Sequence, residues 1–105
     1  MALPVYSQRF INVAGFTGSA AFECPAGFRM IVRDIDVTVF TGAGATVEAG
    51  VGGGAVFWGF TFGVVAILAW QPWRGRQVLE AGEQLVLQSD ASADMMASGY
   101  LLSLP

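Results

Sequence analysis

The sequence predicts an all-β domain: an antiparallel β-sandwich, jelly-roll-like, of about seven to nine short strands. Three observations carry the prediction. Glycine and proline punctuate the chain from Gly15 and Gly18 through Pro25, Gly27, Gly42, Gly44 and Gly50 to Gly75, Gly82 and Gly99. No window of a dozen residues keeps the 3.6-residue apolar period of a helix. The runs between the turns alternate in polarity or are rich in β-branched and aromatic side chains, as strands are. Residues 1–105 read as one domain, long enough to bury a modest core unaided by disulfides or metal.

The elements follow in order. Val5–Val13 (VYSQRFINV) is a strand with mixed faces, and Ser19–Glu23 a short one ending at the turn Cys24-Pro25-Ala26-Gly27. Met30–Thr41 (MIVRDIDVTVFT) is the clearest strand. Ile31, Ile35, Val37 and Val39 share one parity, interrupted by Arg33, while Asp34, Asp36 and Thr38 take the other face, as in a half-buried antiparallel strand. Ala45–Val51 is a short strand in glycine-rich surroundings. Gln84–Ser89 turns Leu85 and Leu87 inward, and Met96–Leu104 groups Tyr100, Leu102 and Leu104. The segments ECPAGFRMIV and VLEAGEQLVL echo each other, each passing through an X-Ala-Gly turn into a strand.

Ala49–Trp73 contains no charged residue and is long enough to cross a bilayer as a helix. Parity argues against that use. Val56, Trp58, Phe60, Phe62 and Val64 make one heavy face; Phe57, Gly59, Thr61, Gly63 and Val65 make a lighter one. Such alternation serves a strand, and a lipid-facing helix has no need of it. No membrane span is expected. Ala66–Trp70 is either a further strand or a turn into WQPWRGRQ, where Pro72 should break regular pairing. MALPVYSQRF lacks the basic and apolar regions of a secretory signal.

Composition narrows the function. There is no histidine, which removes the commonest general base and metal ligand, and Cys24 is the single cysteine. No nucleophile arrangement stands out, so the chain is not expected to be an enzyme or to hold a cofactor. Five arginines, no lysine and eight acids give a net charge of −3, a poor balance for nucleic acid. Charged residues make up 12% and apolar ones 54%. So little charge implies that apolar surface is hidden under other subunits.

The most unusual cluster is WQPWRGR, with Trp70, Trp73, Arg74 and Arg76. Tryptophan and arginine are the enriched anchors of protein interfaces, and tryptophan rings also stack on sugars. Subunit packing is preferred, with Trp58, Phe60 and Phe62 as further interface candidates. Asp34 and Asp36 are close enough for acid–base or calcium chemistry, but a solvated strand face explains them more simply. GAGATVEAGVGGG lacks the Gly-Lys-Ser/Thr of a phosphate loop and reads as a hairpin turn. Cys24 reads as a small buried filler. Met95 and Met96 suit either core or interface.

The layout VYSQRF, CPAGFRMIVRDIDV, WRGRQVLEAGEQLVLQS and SGYLLSL resembles small β-sandwich virion proteins of tailed bacteriophages, of the minor tail, fibre-associated or capsid decoration type. The aromatic segment Phe57–Phe62 departs from that pattern. The resemblance implies a non-enzymatic structural subunit at the surface of a capsid or tail. It would be homotrimeric or otherwise homo-oligomeric, in contact with other virion proteins, and would stabilise the particle through subunit contacts. The alternative is a carbohydrate-binding module for adhesion to host glycans, with WQPWRGR as the sugar platform.

Overall fold

The computed structural model describes residues 5–40, 42, 44–52 and 59–105, and the side chains of 7–40, 42, 44–52 and 65–105. Six strands are described: β1 Val5–Glu23, β2 Phe28–Thr38, β3 Ala45–Gly52, β4 Gly59–Val65, β5 Trp70–Leu79 and β6 Gln84–Ser103. They form one antiparallel sheet in the order β4-β3-β6-β2-β5, with β1 also paired to β6.

The 20-residue β6 is the spine. Its first half pairs with β3, from Gly52↔Gln84 to Val47↔Ser89. Its second half pairs with β2, from Thr38↔Asp94 to Phe28↔Ser103. The 19-residue β1 follows β6 along its other side, from Glu23↔Gln84 to Val5↔Leu102. The sheet therefore has two wings. The first is β4, β3, the start of β6 and the end of β1; the second is β5, β2, the end of β6 and the start of β1.

The expectation of seven to nine short strands is corrected here, because two expected breaks are bends within continuous strands. In β1 the register with β6 slips between Val13 and Phe16 and again before Gly18. Gly15 and Gly18 carry positive φ of 58° and 118°, which glycine alone adopts freely. Opposite them, Asp94 Oδ1 accepts the Gly15 amide at 2.7 Å and Asp90 Oδ1 accepts the Thr46 amide at 2.8 Å. Asp94 thus bonds an amide where the β1–β6 ladder shifts, and Asp90 bonds one at the end of the β3–β6 ladder, so the chain turns a corner without ending either strand.

The inner faces of both wings share one buried cluster. It takes Val47, Ala49, Val51, Leu85 and Leu87 from the first wing, and Met30, Val32, Ile35, Val37, Leu79, Met95 and Ala97 from the second. Full burial of a side chain the size of Val or Leu contributes about 1.5–3 kcal/mol. β6 and β1 run through both wings and join them. Met95 is core, and Met96 lies half-buried on the outer face.

The parity expected for β2 holds only after Arg33. Met30 and Val32 point inward, then Ile35, Val37 and Val39 do, because a bulge intervenes between Val32 and Asp34. The extra residue carries Arg33 to solvent and resets the alternation. Gly99 of β6 lies beside this bulge, where an added β-carbon would overlap the Ile31 carbonyl oxygen. Glycine is required there by close backbone approach.

The two echoing turns lie against each other. Phe28 N–H donates to Pro25 O at 3.2 Å and Glu83 N–H to Glu80 O at 3.0 Å, closing equivalent four-residue turns. Gly27 and Gly82 hold the third position of each with φ of 82° and 87°. Cys24 N–H donates to Glu83 O at 2.8 Å, and Gly82 N–H donates to Cys24 O at 3.0 Å. Arg29 Nε bridges to Glu80 Oε1 at 3.0 Å over the same junction.

Candidate interaction surface

β5 carries WQPWRGR as the neighbour of β2, and the register explains the aspartates. Asp34 lies opposite Arg74, Asp36 opposite Pro72 and Thr38 opposite Trp70. The expected interruption at Pro72 does not occur. Among the described residues β5 pairs with β2 alone, and an edge strand tolerates a residue without an N–H.

The cluster closes on one carboxylate. Asp36 Oδ1 accepts the Trp70 indole N–H at 2.9 Å and Arg74 Nη2 at 2.8 Å. Arg74 Nε reaches Asp34 Oδ1 at 3.2 Å, and Nη1 donates to the Trp73 carbonyl at 3.0 Å. The guanidinium carbon stands 5.8 Å from the Trp70 ring centroid, within cation–π range. The hydrogen bond to Asp36, aided by the charges of Asp36 and Asp34 and only partly opposed by desolvation, pushes the Arg74 pKa further above its ordinary value. Arg74 is thus a permanently charged tie, and Asp34 and Asp36 are its acceptors.

Alternation separates the two tryptophans. Trp70 is 58% exposed, whereas Trp73 is half-buried against the core, its ring packed over Gly75. Arg76 is exposed and has no ion-pair partner among the described residues. Trp58 lies outside the described residues. Phe60 and Phe62 lie on β4, but their side chains fall outside those described.

Sequence reasoning missed the apolar tip beside Trp70. Ala66–Ala69 is a turn, closed by Ala69 N–H to Ala66 O at 3.0 Å and tied to β2's end by Leu68 N–H to Val39 O at 2.5 Å. Phe40, Ile67 and Leu68 are exposed there, Leu68 at 73%. Leu68 also has φ of 62°, a left-handed conformation costly for leucine. Exposure beside Trp70 was hidden in the sequence because Ala66–Trp70 offered no parity to read.

The first wing carries a contrasting patch on its outer face. Ser19, Thr46, Glu48, Gln88 and Asp90 line an open depression of about 270 Å³. Ser19 Oγ donates to Gln88 Oε1 at 3.3 Å, and Gln88 Nε2 donates to Glu48 Oε2 at 3.0 Å. Cys24 is fully buried with Sγ 3.4 Å from the Phe28 carbonyl, and burial raises its thiol pKa. Among the described residues, no group of three or more Asp, Glu or Cys is placed to hold a metal ion, and no helix is long and apolar enough to cross a membrane.

No family model and no curated protein matches the chain. Its fold is similar to that of the Drosophila NLP core, a protein studied for pentamer formation and histone binding. That likeness has a TM-score of 0.57 at 9% identity and covers 92% of this chain and 96% of the other. A protein of the T13 particle of infectious bursal disease virus (IBDV) is matched at a TM-score of 0.44 and 5% identity, over 99% of this chain but 29% of the viral one. The VP2 protein of the same virus is matched at a TM-score of 0.21 and 6% identity, over 99% and 38% of the two chains. The first likeness supports the all-β fold; the two viral ones are too weak to bear on it.

Proposed function

We propose that the chain is a non-enzymatic structural subunit that works by self-association, its two wings closed face to face as a sandwich. The observation that carries this is the tip of Phe40, Ile67, Leu68 and Trp70, large apolar side chains held in water by a chain with 12% charged residues. A monomer gains little from such a tip, and a subunit contact removes it from water. The fold's likeness to a protein studied for pentamer formation is in keeping with this role.

The finer assignment rests on the sequence resemblance: a tailed-phage virion protein, either minor tail and fibre-associated or capsid decoration. Its place would be the particle surface. The carbohydrate-binding alternative is weaker, because a sugar platform wants both rings on one face. Here Trp70 is exposed, its ring near Arg74, while Trp73 packs on the core.

Size-exclusion chromatography with light scattering tests the reading. An oligomer that weakens on Leu68→Ser or Trp70→Ala is the expected result. A monomer at all accessible concentrations would overturn it.

A further inference from the structure

We infer that the chain associates head to tail, the arginine-bearing outer face of the second wing docking on the acidic outer face of the first wing of another copy. The inference rests on the self-association proposed above and adds a second contact to that of the apolar tip.

The arginines are confined to one wing, which also carries Asp34, Asp36 and Asp94. All five arginines lie on the second wing: Arg9 on β1, Arg29 and Arg33 on β2, Arg74 and Arg76 on β5. Arg29 is bound by Glu80, and Arg74 by Asp34 and Asp36. Arg9, Arg33 and Arg76 are exposed and have no carboxylate partner among the described residues. The register gathers them at one level. Arg9 lies opposite Ser98, Ser98 opposite Asp34 and Asp34 opposite Arg74, with Arg33 at the bulge beside them and Arg76 two residues beyond Arg74. At about 4.8 Å between strands they span roughly 15 Å. The adjoining outer row, Tyr100, Ile31 and Val78, is apolar, with Tyr100 and Val78 partly in water.

The first wing is the complement. It has no arginine, and its depression presents Glu48 and Asp90. Each carboxylate commits one oxygen internally, Glu48 Oε2 to Gln88 and Asp90 Oδ1 to Thr46. The second oxygen of each has no partner among the described residues. Guanidinium groups, planar and rich in donors, suit such acceptors. Because two different faces meet, the contact is heterologous and generates a ring or an open fibre.

A charge exchange tests this. Arg33→Glu with Arg76→Glu gives a chain acidic on both faces. Glu48→Arg with Asp90→Asn, which keeps an acceptor for Thr46, gives a chain basic on both. Each variant alone should associate about tenfold more weakly or worse than the parent, and their equimolar mixture should recover a mixed assembly in sedimentation velocity. Circular dichroism identifies any variant that does not fold. Independently of the variants, the parent's dissociation constant should rise about tenfold or more between 50 mM and 500 mM NaCl, since these charges face solvent until docking. If the parent is oligomeric but indifferent to salt, or if either folded variant assembles as the parent does, this contact is wrong and self-association stands on another surface. If the parent is monomeric at every concentration, both the contact and the self-association proposal fall.

Discussion

Gly99 lies against the Ile31 carbonyl with no room for a β-carbon, and this contact sits where β2 bulges at Arg33. Gly99→Ala must push backbone from backbone in the middle of the spine strand. We expect it to destabilise by about 3 kcal/mol or more, or to leave the protein insoluble. Gly52 is the control: it lies in β3 with ordinary φ, and an added β-carbon meets nothing within 4 Å. Gly52→Ala should be neutral or stabilise by up to about 1 kcal/mol through the unfolded chain. Urea denaturation of the two variants compares them directly.

Leu68 combines left-handed backbone with 73% exposure. Leu68→Gly relieves the backbone and loses little burial, so the isolated subunit should be stabilised by up to about 1 kcal/mol, a rise of a few degrees in Tm. Assembly should weaken in the same variant. Calorimetry paired with light scattering reads the two effects, and a variant that loses stability shows that the leucine packs at home.

Asp94 accepts the Gly15 amide where β1 slips past β6. Asp94→Ala removes that acceptor and should cost about 1–2 kcal/mol, while Asp94→Asn, which keeps a carbonyl oxygen, should cost less. Hydrogen exchange offers a local readout: the Gly15 amide should lose protection in the alanine variant before the strand ends do.

Cys24 has no solvent-accessible surface, and burial holds its thiol above the ordinary value of 9.0. The unfolded chain therefore releases this proton first as pH rises. The contribution is fully present below the unfolded pKa and is lost as pH climbs from there through the folded one. Stability should decline above about pH 9, and Cys24→Ala should flatten that part of the profile. A thiol reagent such as DTNB should label the native protein far more slowly than the urea-unfolded chain.

Much of the fold was legible in residue order. Alternation marked β2 beyond Arg33 and the first half of β6, whereas Tyr100, Leu102 and Leu104, grouped for its second half, lie on the outer face. The paired X-Ala-Gly motifs marked two turns that proved to be hydrogen-bonded neighbours. What misled was the grammar of interruption. Gly15, Gly18 and the Asp90–Asp94 stretch carry the glycine, serine and aspartate of turns, yet they bend two long strands. A distant acceptor, Asp94, satisfies the Gly15 amide there, and distance is not written in local sequence. Pro72 misled for a related reason, since its harm depends on whether a neighbour wants its N–H. In the candidate surface, the resident partner of Arg74 could not be read from WQPWRGR, because Asp36 arrives from 38 residues away.

The placement of β6 has a consequence for the order of events during synthesis. β1, β2 and β3 all pair with a strand that is made after them. Until residues 84–103 leave the ribosome, each of those strands lacks its principal hydrogen-bonding neighbour, and Val32, Ile35, Val37, Val47 and Val51 have no finished interior to enter. Completion of the fold therefore waits on β6, is governed by the closure of long loops and is correspondingly slow. The vulnerable period is the one in which many nascent copies expose the same apolar faces at once, so yield in the cell should depend on expression rate more steeply than stability alone would suggest.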